Sequence, residues 1–324
     1  MNRVLIIGCG ELGSRFLQAS LQVKAIYRID IVEPSEQAVA IAKVRMDQVN
    51  YIKQSVDVVW HKAIDSVSFG IDLCVIATQA DGREKIFSDV IKLGVNNIVT
   101  EKVVTQSLSG YKFILEQANA AGVNVWVNCK TRTYPIWKYI YSKLQPGEPL
   151  SYHSIGGNHG LCTNGLHTLD LFAFISSSDK LVDTHSVIDP DVFKTKREKY
   201  DITGTFHLSG TNNSRCVIEY SRSNVASFLE IVITPKFRWV LDHSSRQAFE
   251  GREDNRWILE PIPFEGDLSV SNMSVQFISD ILENGKCGLP SLQDTYAAHE
   301  FLFTTTLSVF NKALNKTDDI CPFT

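Results

Sequence analysis

In the first third of the chain the hydrophobic positions fall in short, nearly unbroken runs separated by helical patterns. Arg3-Val4-Leu5-Ile6-Ile7 has the look of a strand buried on both faces. Tyr27-Arg28-Ile29-Asp30-Ile31-Val32-Glu33 reads as a second strand, ending in an acid. Ile71-Asp72-Leu73-Cys74-Val75-Ile76-Ala77-Thr78, Asn97-Ile98-Val99-Thr100 and Val123-Asn124-Val125-Trp126-Val127-Asn128 continue the series, with a weaker strand near Val56–Trp60. Between them the spacing is helical: after Leu12, over 35–48 (Val39, Ile41, Ala42, Val44), over 81–93 up to Gly94, and over 107–121 up to Gly122. Strands alternating with helices in this way predict a six-strand, doubly wound parallel sheet.

After Asn128 the pattern changes. Residues 133–144 predict an amphipathic helix, followed by the turn Gln145-Pro146-Gly147-Glu148-Pro149. A strand at 150–155 and a helix from about Asn164 to Ile175 precede strands near 181–188, 200–208, 215–220, 227–233, 238–241 and 257–261. Strand after strand without helices implies a largely antiparallel sheet. Helices over 270–282 and 292–313 close the chain. Two domains are therefore expected, an α/β domain over 1–128 and an α+β domain over 129–324, with the last helix free to pack back on the first.

The first strand runs into Gly8-Cys9-Gly10-Glu11-Leu12-Gly13, a G-x-G-x-x-G turn. Gly8 permits the tight turn, Gly10 lets a pyrophosphate approach the backbone, and Gly13 lets the helix pack closely on the sheet. The helix that follows points unpaired N–H groups and its positive end at the phosphates. Glu33, twenty residues past Gly13, is placed to accept hydrogen bonds from the adenosine ribose. Strand, turn, helix, strand and acid in register predict a dinucleotide site whose backbone contacts include Glu11 and Leu12. The carboxylate of Glu33 bonds a free 2′-hydroxyl and repels a 2′-phosphate, so NAD is expected over NADP, although Arg28 and Ser35 leave some room for the phosphate.

Composition changes this picture little. The 324 residues are 44% hydrophobic and 21% charged, with a net charge of −4, an ordinary globular balance that points to neither a nucleic-acid nor a membrane surface. No apolar stretch reaches the roughly 20 residues that span a bilayer, and no signal peptide is expected, because a buried strand starts at Arg3. The seven cysteines (Cys9, Cys74, Cys129, Cys162, Cys216, Cys287, Cys321) lack any C-x-x-C. They predict reduced thiols of a cytoplasmic protein and no metal site, with Cys9 a packing residue.

In an open α/β sheet, ligands bind beyond the carboxyl ends of the strands. The fourth strand delivers Ala77-Thr78-Gln79 there, the fifth Glu101-Lys102, and the sixth Asn128 with Lys130 and Arg132 just after it. Any one of these charges alone would ordinarily be a solvated loop residue, but a lysine directly after a buried strand is a candidate for chemistry. A second cluster, Gly156-Gly157-Asn158-His159-Gly160-Leu161-Cys162-Thr163-Asn164-Gly165-Leu166-His167-Thr168-Leu169-Asp170, is rich in glycine and polar groups and then becomes a helix. A lone helical histidine is most often structural. His167 and Asp170 are three apart and should share a face, as should His167, Asn164 and Leu171.

These residues together resemble the glucose–fructose oxidoreductase / inositol dehydrogenase / rhizopine catabolism (Gfo/Idh/MocA) family over nearly the whole length. That family joins an N-terminal Rossmann domain to a C-terminal antiparallel sheet. Gly8–Gly13 match its fingerprint, Asp72–Thr78 its D-x-V-x-I-A-T strand, and Glu101-Lys102 its E-K-P, whose Lys contacts substrate and is the usual catalytic candidate. Asn128, Arg132 and Pro135 resemble its N-x-R-x-x-P region, and Gly165, His167 and Asp170 the G-x-H-x-x-D part of its signature. The departures are Val103 for Pro, Gln79 for Pro, Arg83 where many members have His, and Thr163, with Asn164 beside it, where the family has Asp.

The resemblance implies an NAD(P)-dependent dehydrogenase or reductase acting on a sugar, nucleotide sugar or polyol by hydride transfer. Lys102 and His167 are the catalytic candidates, and both stay open as the proton carrier. The imidazole exchanges protons near neutrality without tuning, whereas Lys102 would need burial or a cationic neighbour such as Lys130 or Arg132. Asn128, Lys130, Arg132, Tyr134, Thr163, Asn164 and Asp170 are candidates for holding substrate. Two alternatives remain: a lyase, hydrolase or epimerase that uses bound NAD with no net redox change, and a non-catalytic regulatory protein, motivated by Thr163. The apolar strand Phe228-Leu229-Glu230-Ile231-Val232-Ile233 suggests a homodimer or homotetramer through the C-terminal sheet.

Overall fold

The computed structural model of the chain describes residues 1–49, 56–196, 198–222, 228–264, 266 and 269–324. Its first elements alternate: β1 (Asn2–Ile7), α1 (Gly13–Ser20), β2 (Ile26–Val32), α2 (Glu36–Asp47), β3 (Asp57–His61), β4 (Leu73–Ile76), α3 (Arg83–Lys92), β5 (Asn97–Thr100), α4 (Leu108–Ala121) and β6 (Asn124–Val127). The six strands form one parallel sheet in the order β3-β2-β1-β4-β5-β6. The order reverses between β1 and β4, which places a crevice at their carboxyl ends. The all-apolar strands are those fully covered: β1 from Val4 onward and all of β4 are buried. β4 is shorter than the apolar run that predicts it, because Ala77 and Thr78 already belong to the loop at the ligand edge.

One expected element is corrected. The helix over 35–48 forms as α2, capped by the Ser35 side chain accepting from Ala38 N–H. Its apolar stripe does not enter the core, however: Ala42 is buried, whereas Ile41 and Val44 are 45% and 62% exposed.

The second half contains α5 (Pro135–Lys143), β7 (Ser151–Gly156), α6 (Gly165–Ile175), β8 (Leu181–Asp183), β9 (Val187–Ile188), β10 (Phe193–Lys194), β11 (Tyr200–Asp201), β12 (Gly204–Gly210), β13 (Arg215–Tyr220), β14 (Leu229–Ile233), β15 (Phe237–Asp242), β16 (Gln247–Arg252), β17 (Glu260–Ile262), α7 (Val270–Asn284) and α8 (Leu292–Leu314). Its sheet runs β17-β16-β15-β14-β7-β13-β12-β8, with β9 also on β12. All pairings are antiparallel except β7 with β13. The strands expected over 181–188 and 200–208 are each broken in two, and β10 and β16 appear where none was expected. Ser227, the first residue of the strand expected over 227–233, lies outside the described residues.

The chain separates into two compact units. The first holds Met1–Thr105, Gly110–Asn128 and the stretch ending at Gln293 that carries α7; the second holds Gln106–Ser109, Cys129–Gly266 and Asp294–Thr324. The first unit is thus discontinuous, which a single cut after residue 128 does not describe, and the helix that joins it is α7 rather than the last one. Phe277, Ile278 and Ile281 of α7 are buried in one cluster with Phe16 and Leu17 of α1. Each such side chain contributes about 2 kcal/mol on burial. Ser269 caps the start of α7, and Gly285, at φ +67°, ends it.

In the second unit the inward face of the sheet carries Tyr152, Phe206, Ile218, Val232 and Trp239, all fully buried. Trp137 of α5 meets Tyr152 edge-on at 5.8 Å, and Phe172 of α6 stacks on the same ring at 6.4 Å. The opposite face is half-exposed, and one row of it, Val217, His153, Ile231, Val240 and Phe249, crosses five neighbouring strands in register.

Candidate active site

The glycine turn leaves β1 with Gly8 at φ +81°. A Cβ on Gly13 would stand 1.8 Å from Gly8 O, so the first residue of α1 is pressed against the turn as no other residue allows. Around the position a Cβ would take on Gly10, by contrast, nothing lies within 4 Å. That open space in front of α1 is where a pyrophosphate needs room. Leu12 precedes α1 with no side-chain cap. Glu11 points its carboxylate at Arg45 of α2, both oxygens 2.7 Å from the guanidinium, while the same Arg45 donates to Glu11 O and to Ser14 Oγ. α2 therefore clamps the turn from the side.

Glu33 is buried just past β2. Its Oε2 accepts from Cys9 N–H at 2.7 Å and its Oε1 from Ser35 N–H at 2.9 Å, fixing the carboxylate against the turn with lone pairs left for a further donor. The same carboxylate lines a cavity of about 370 Å³ with Val39, Ala40, Lys43, Trp60, His61 and Lys62. Of the apolar residues of α2, Val39 and Ala40 line this cavity, whereas the exposed Ile41 and Val44 do not. Lys43 Nζ lies 5.8 Å from the centre of the Trp60 ring. Arg28, the residue that left room for a 2′-phosphate, is engaged elsewhere: it donates to both carboxylate oxygens of Asp30 at 3.0 Å. Burial pushes the Cys9 thiol up to about 12, with Glu33 adding to it, so this cysteine packs and does not react.

Beside the glycine turn, at the end of the neighbouring β4, Ala77 N–H bonds Ile7 O, and Ala77 and Thr78 begin the loop that follows. Glu101, directly after β5, is buried, and its Oε1 accepts from Asn128 Nδ2, at the end of β6, at 2.7 Å. Lys102 is only partly buried, beside the fully buried Val103, Val104 and Thr105. The Lys102–Val103 peptide is cis. Two polar atoms along this edge, Thr78 Oγ1 and Asn128 Oδ1, are buried with no protein partner. Buried polar atoms normally find partners, so these two present a donor-acceptor and an acceptor to a ligand.

The second unit places the other expected residues. Lys130 and Arg132 lie on a short 3-10 turn (Lys130–Thr133), with Lys130 Nζ 5.7 Å from the centre of the Tyr134 ring. Burial pushes the Tyr134 hydroxyl up to about 12, which keeps it a donor. Arg132 and Asp170 hold each other: Nη2 to Oδ1 at 2.5 Å and Nε to Oδ2 at 3.0 Å, with the guanidinium also over Phe174 at 4.7 Å. Both His167 and Asp170 lie on α6, Asp170 fully buried and His167 half-exposed. Asn164 precedes α6 and its amide donates to His159 O.

Two carboxylates of this unit carry no sequence signal. Asp201 of β11, 1% exposed, accepts from Cys162 N–H at 2.8 Å and Thr163 N–H at 3.1 Å, the segment where Thr163 replaces the family Asp. Glu230 of β14 is also 1% exposed and receives the Tyr152 hydroxyl and His243 Nε2. Asp201 meets the turn before α6, and Glu230 meets β7 and the residue after β15, so the folded chain is what brings each set together.

The residues of the first unit fit a dinucleotide: an open approach at Gly10, a fixed acid at Glu33 beside an apolar cavity, and unpartnered polar atoms at Thr78 and Asn128. Residues 2–129 match the family model described as "Oxidoreductase family, NAD-binding Rossmann fold", Gfo/Idh/MocA. No curated protein matches the chain. Among solved structures, UDP-N-acetylglucosamine 3-dehydrogenase from Acidithiobacillus ferrooxidans is similar at a TM-score of 0.75 and 12% identity, covering 96% of this chain and 99% of that one. An oxidoreductase from Agrobacterium radiobacter, solved with NAD+, L-tartaric acid and magnesium, is similar at 0.73 and 14%, covering 97% and 96%. A 3-ketoreductase from Actinomadura kijaniata, solved with TDP-benzene and NADP, is similar at 0.67 and 12%, covering 93% and 95%. These identities carry the likeness of fold. Among the described residues no helix is long and apolar enough to cross a membrane.

Proposed function

We propose, from the premise that this chain belongs through residues 2–129 to the Gfo/Idh/MocA oxidoreductases, that it is a dehydrogenase or reductase of a sugar, nucleotide sugar or polyol. The observation that carries the reading is the edge shared by the glycine turn, the buried Glu101–Asn128 pair and the partly exposed Lys102. When bound, the nicotinamide supplies the hydride acceptor or donor. The chain supplies the rest. We assign Lys102 to orient the substrate oxygen by charge and hydrogen bonding, and His167 to carry its proton. Asn128, Lys130, Tyr134, Thr163 and Asn164 are the groups we assign to further substrate hydroxyls or acidic groups; Arg132 and Asp170 serve instead as the scaffold that ties the 130–133 turn to α6.

NAD is the cofactor we favour, because the Glu33 carboxylate is fixed against the glycine turn and Arg28 is engaged by Asp30. Fluorescence titration with NADH and NADPH tests this; tighter NADPH binding would overturn it. Turnover of a sugar and nucleotide-sugar panel followed at 340 nm tests the reaction. Loss of at least 100-fold in Lys102→Ala and His167→Ala is expected, on the scale of general acid–base catalysis. Sugar conversion without NADH accumulation would move the assignment to a reaction with no net redox change. Cofactor binding with no turnover of any compound would move it to a regulatory protein. The half-exposed outer face of the second sheet supports assembly with a second copy of the chain.

A further inference from the structure

A loop that is buried carries backbone carbonyls that water cannot reach, and each needs a donor from the protein. The segment after β5 is such a loop: Glu101 is 3% exposed and Val103, Val104 and Thr105 are fully buried. The donor comes from the first residue of α3. Arg83 is 1% exposed, and its Nη1 donates to Glu101 O at 2.6 Å, to Val103 O, and to Val104 O at 3.3 Å. Its Nη2 donates to Thr78 O in the loop after β4. One guanidinium thus gathers four carbonyls from two neighbouring strand ends.

This placement is costly by itself. A buried cation is desolvated, and at a helix N-terminus it also opposes the macrodipole. A guanidinium holds its donors in a fixed planar fork, here Nη1 toward the 101–105 loop and Nη2 toward Thr78 O, whereas the three donors of an ammonium sit on one point at the end of a flexible stem. The loop it holds is the one that lacks proline at position 103, and Lys102 is the residue of that loop left partly exposed. Through Glu101, whose carboxylate accepts from Asn128, the clamp extends to the end of β6.

We propose that Arg83 is a positioning residue: its guanidinium fixes the 101–105 loop to the end of β4 and thereby sets the direction in which Lys102 projects. The inference rests on the reading of Lys102 as the group at the substrate, but its test needs no turnover. Hydrogen exchange of the wild-type chain should show the amides of 101–105 protected as well as those of β5. In Arg83→Lys that protection should fall at least tenfold. The acylation rate of Lys102 by an N-hydroxysuccinimide ester, mapped by mass spectrometry, should change at least threefold while the other lysines stay the same. Once a substrate is in hand, kcat should fall at least tenfold. Methylguanidinium should restore part of the Lys102 acylation rate in Arg83→Ala.

An Arg83→Lys chain with unchanged loop exchange and unchanged Lys102 reactivity would overturn the proposal. If the variants do not fold, wild-type exchange decides: a 101–105 loop exchanging as fast as an exposed turn would overturn it equally. A wild-type chain that turns over no compound of the panel while its 101–105 amides are protected would count against the oxidoreductase reading and leave the clamp standing.

Discussion

Single residues here do their work through what surrounds them. Gly13 is the clearest case: a methyl group at that position would meet Gly8 O at 1.8 Å. Gly13→Ala should therefore cost at least the roughly 1–3 kcal/mol of an overpacked core site, read as a lower Tm, and should abolish NADH binding; an unchanged Tm would show that the turn relaxes. Glu33 makes a different prediction. Its carboxylate is already held by Cys9 and Ser35 amides, so Glu33→Ala should weaken NADH about tenfold, near 1.4 kcal/mol, and narrow its advantage over NADPH, as titration with the two cofactors will read. Both residues could be picked out from the sequence because the turn's chemistry is local, set by spacing alone. Glu230 and Asp201 could not, since each draws its partners from other segments of the chain. Arg132 and Asp170 were visible as polar residues near the right place, but which charge a side chain meets depends on packing, and there they meet each other.

Elements show the same division between local pattern and assembled context. The parallel strands were readable because strands covered on both faces must be apolar throughout. β16 was not, because Glu250 stands at its centre and accepts from Trp239 Nε1 and the Tyr139 hydroxyl, each at 2.9 Å, partners that only the fold supplies. Asp30 of β2 is a charge inside a strand that the fold does accommodate. It receives Arg3 Nε from β1 at 2.7 Å and meets His61 Nε2 from β3 at 2.8 Å, in addition to Arg28 on its own strand. Burial alone would push its carboxyl up, but these hydrogen bonds hold it well below the ordinary carboxylate range. A folded-state value below the unfolded one of about 3.9 means the stabilisation is complete above about pH 4 and lost as the pH falls further. Urea midpoints between pH 7 and pH 2.5 should thus decline more steeply for the wild type than for Asp30→Asn, which starts lower because Arg3 is left buried without its carboxylate. Parallel curves would show that Asp30 does not carry the acid sensitivity.

At the scale of the whole molecule, the row of Val217, His153, Ile231, Val240 and Phe249 predicts assembly. Ile231→Asp places a charge in the middle of that row and should lower the sedimentation mass to that of one 36.3 kDa chain while leaving NADH binding within about twofold. A wild-type chain that already sediments as a monomer would dismiss the assembly. The two sheets and their order along the chain were legible from periodicity, whereas the membership of α7 was not: an amphipathic helix does not declare which surface it covers.

That membership has a consequence in time. The surface of Phe16 and Leu17 on α1 is completed by Phe277, Ile278 and Ile281, which the ribosome delivers more than 140 residues after the sixth strand. At about 5–20 residues per second, the nucleotide domain waits on the order of 10–30 seconds after its sixth strand emerges before its covering helix exists. During that interval an apolar patch is open to chaperones or to neighbouring nascent chains. A chain truncated after Asn128 would keep that patch permanently, and soluble expression of the isolated domain should require α7 to be supplied in trans or fused.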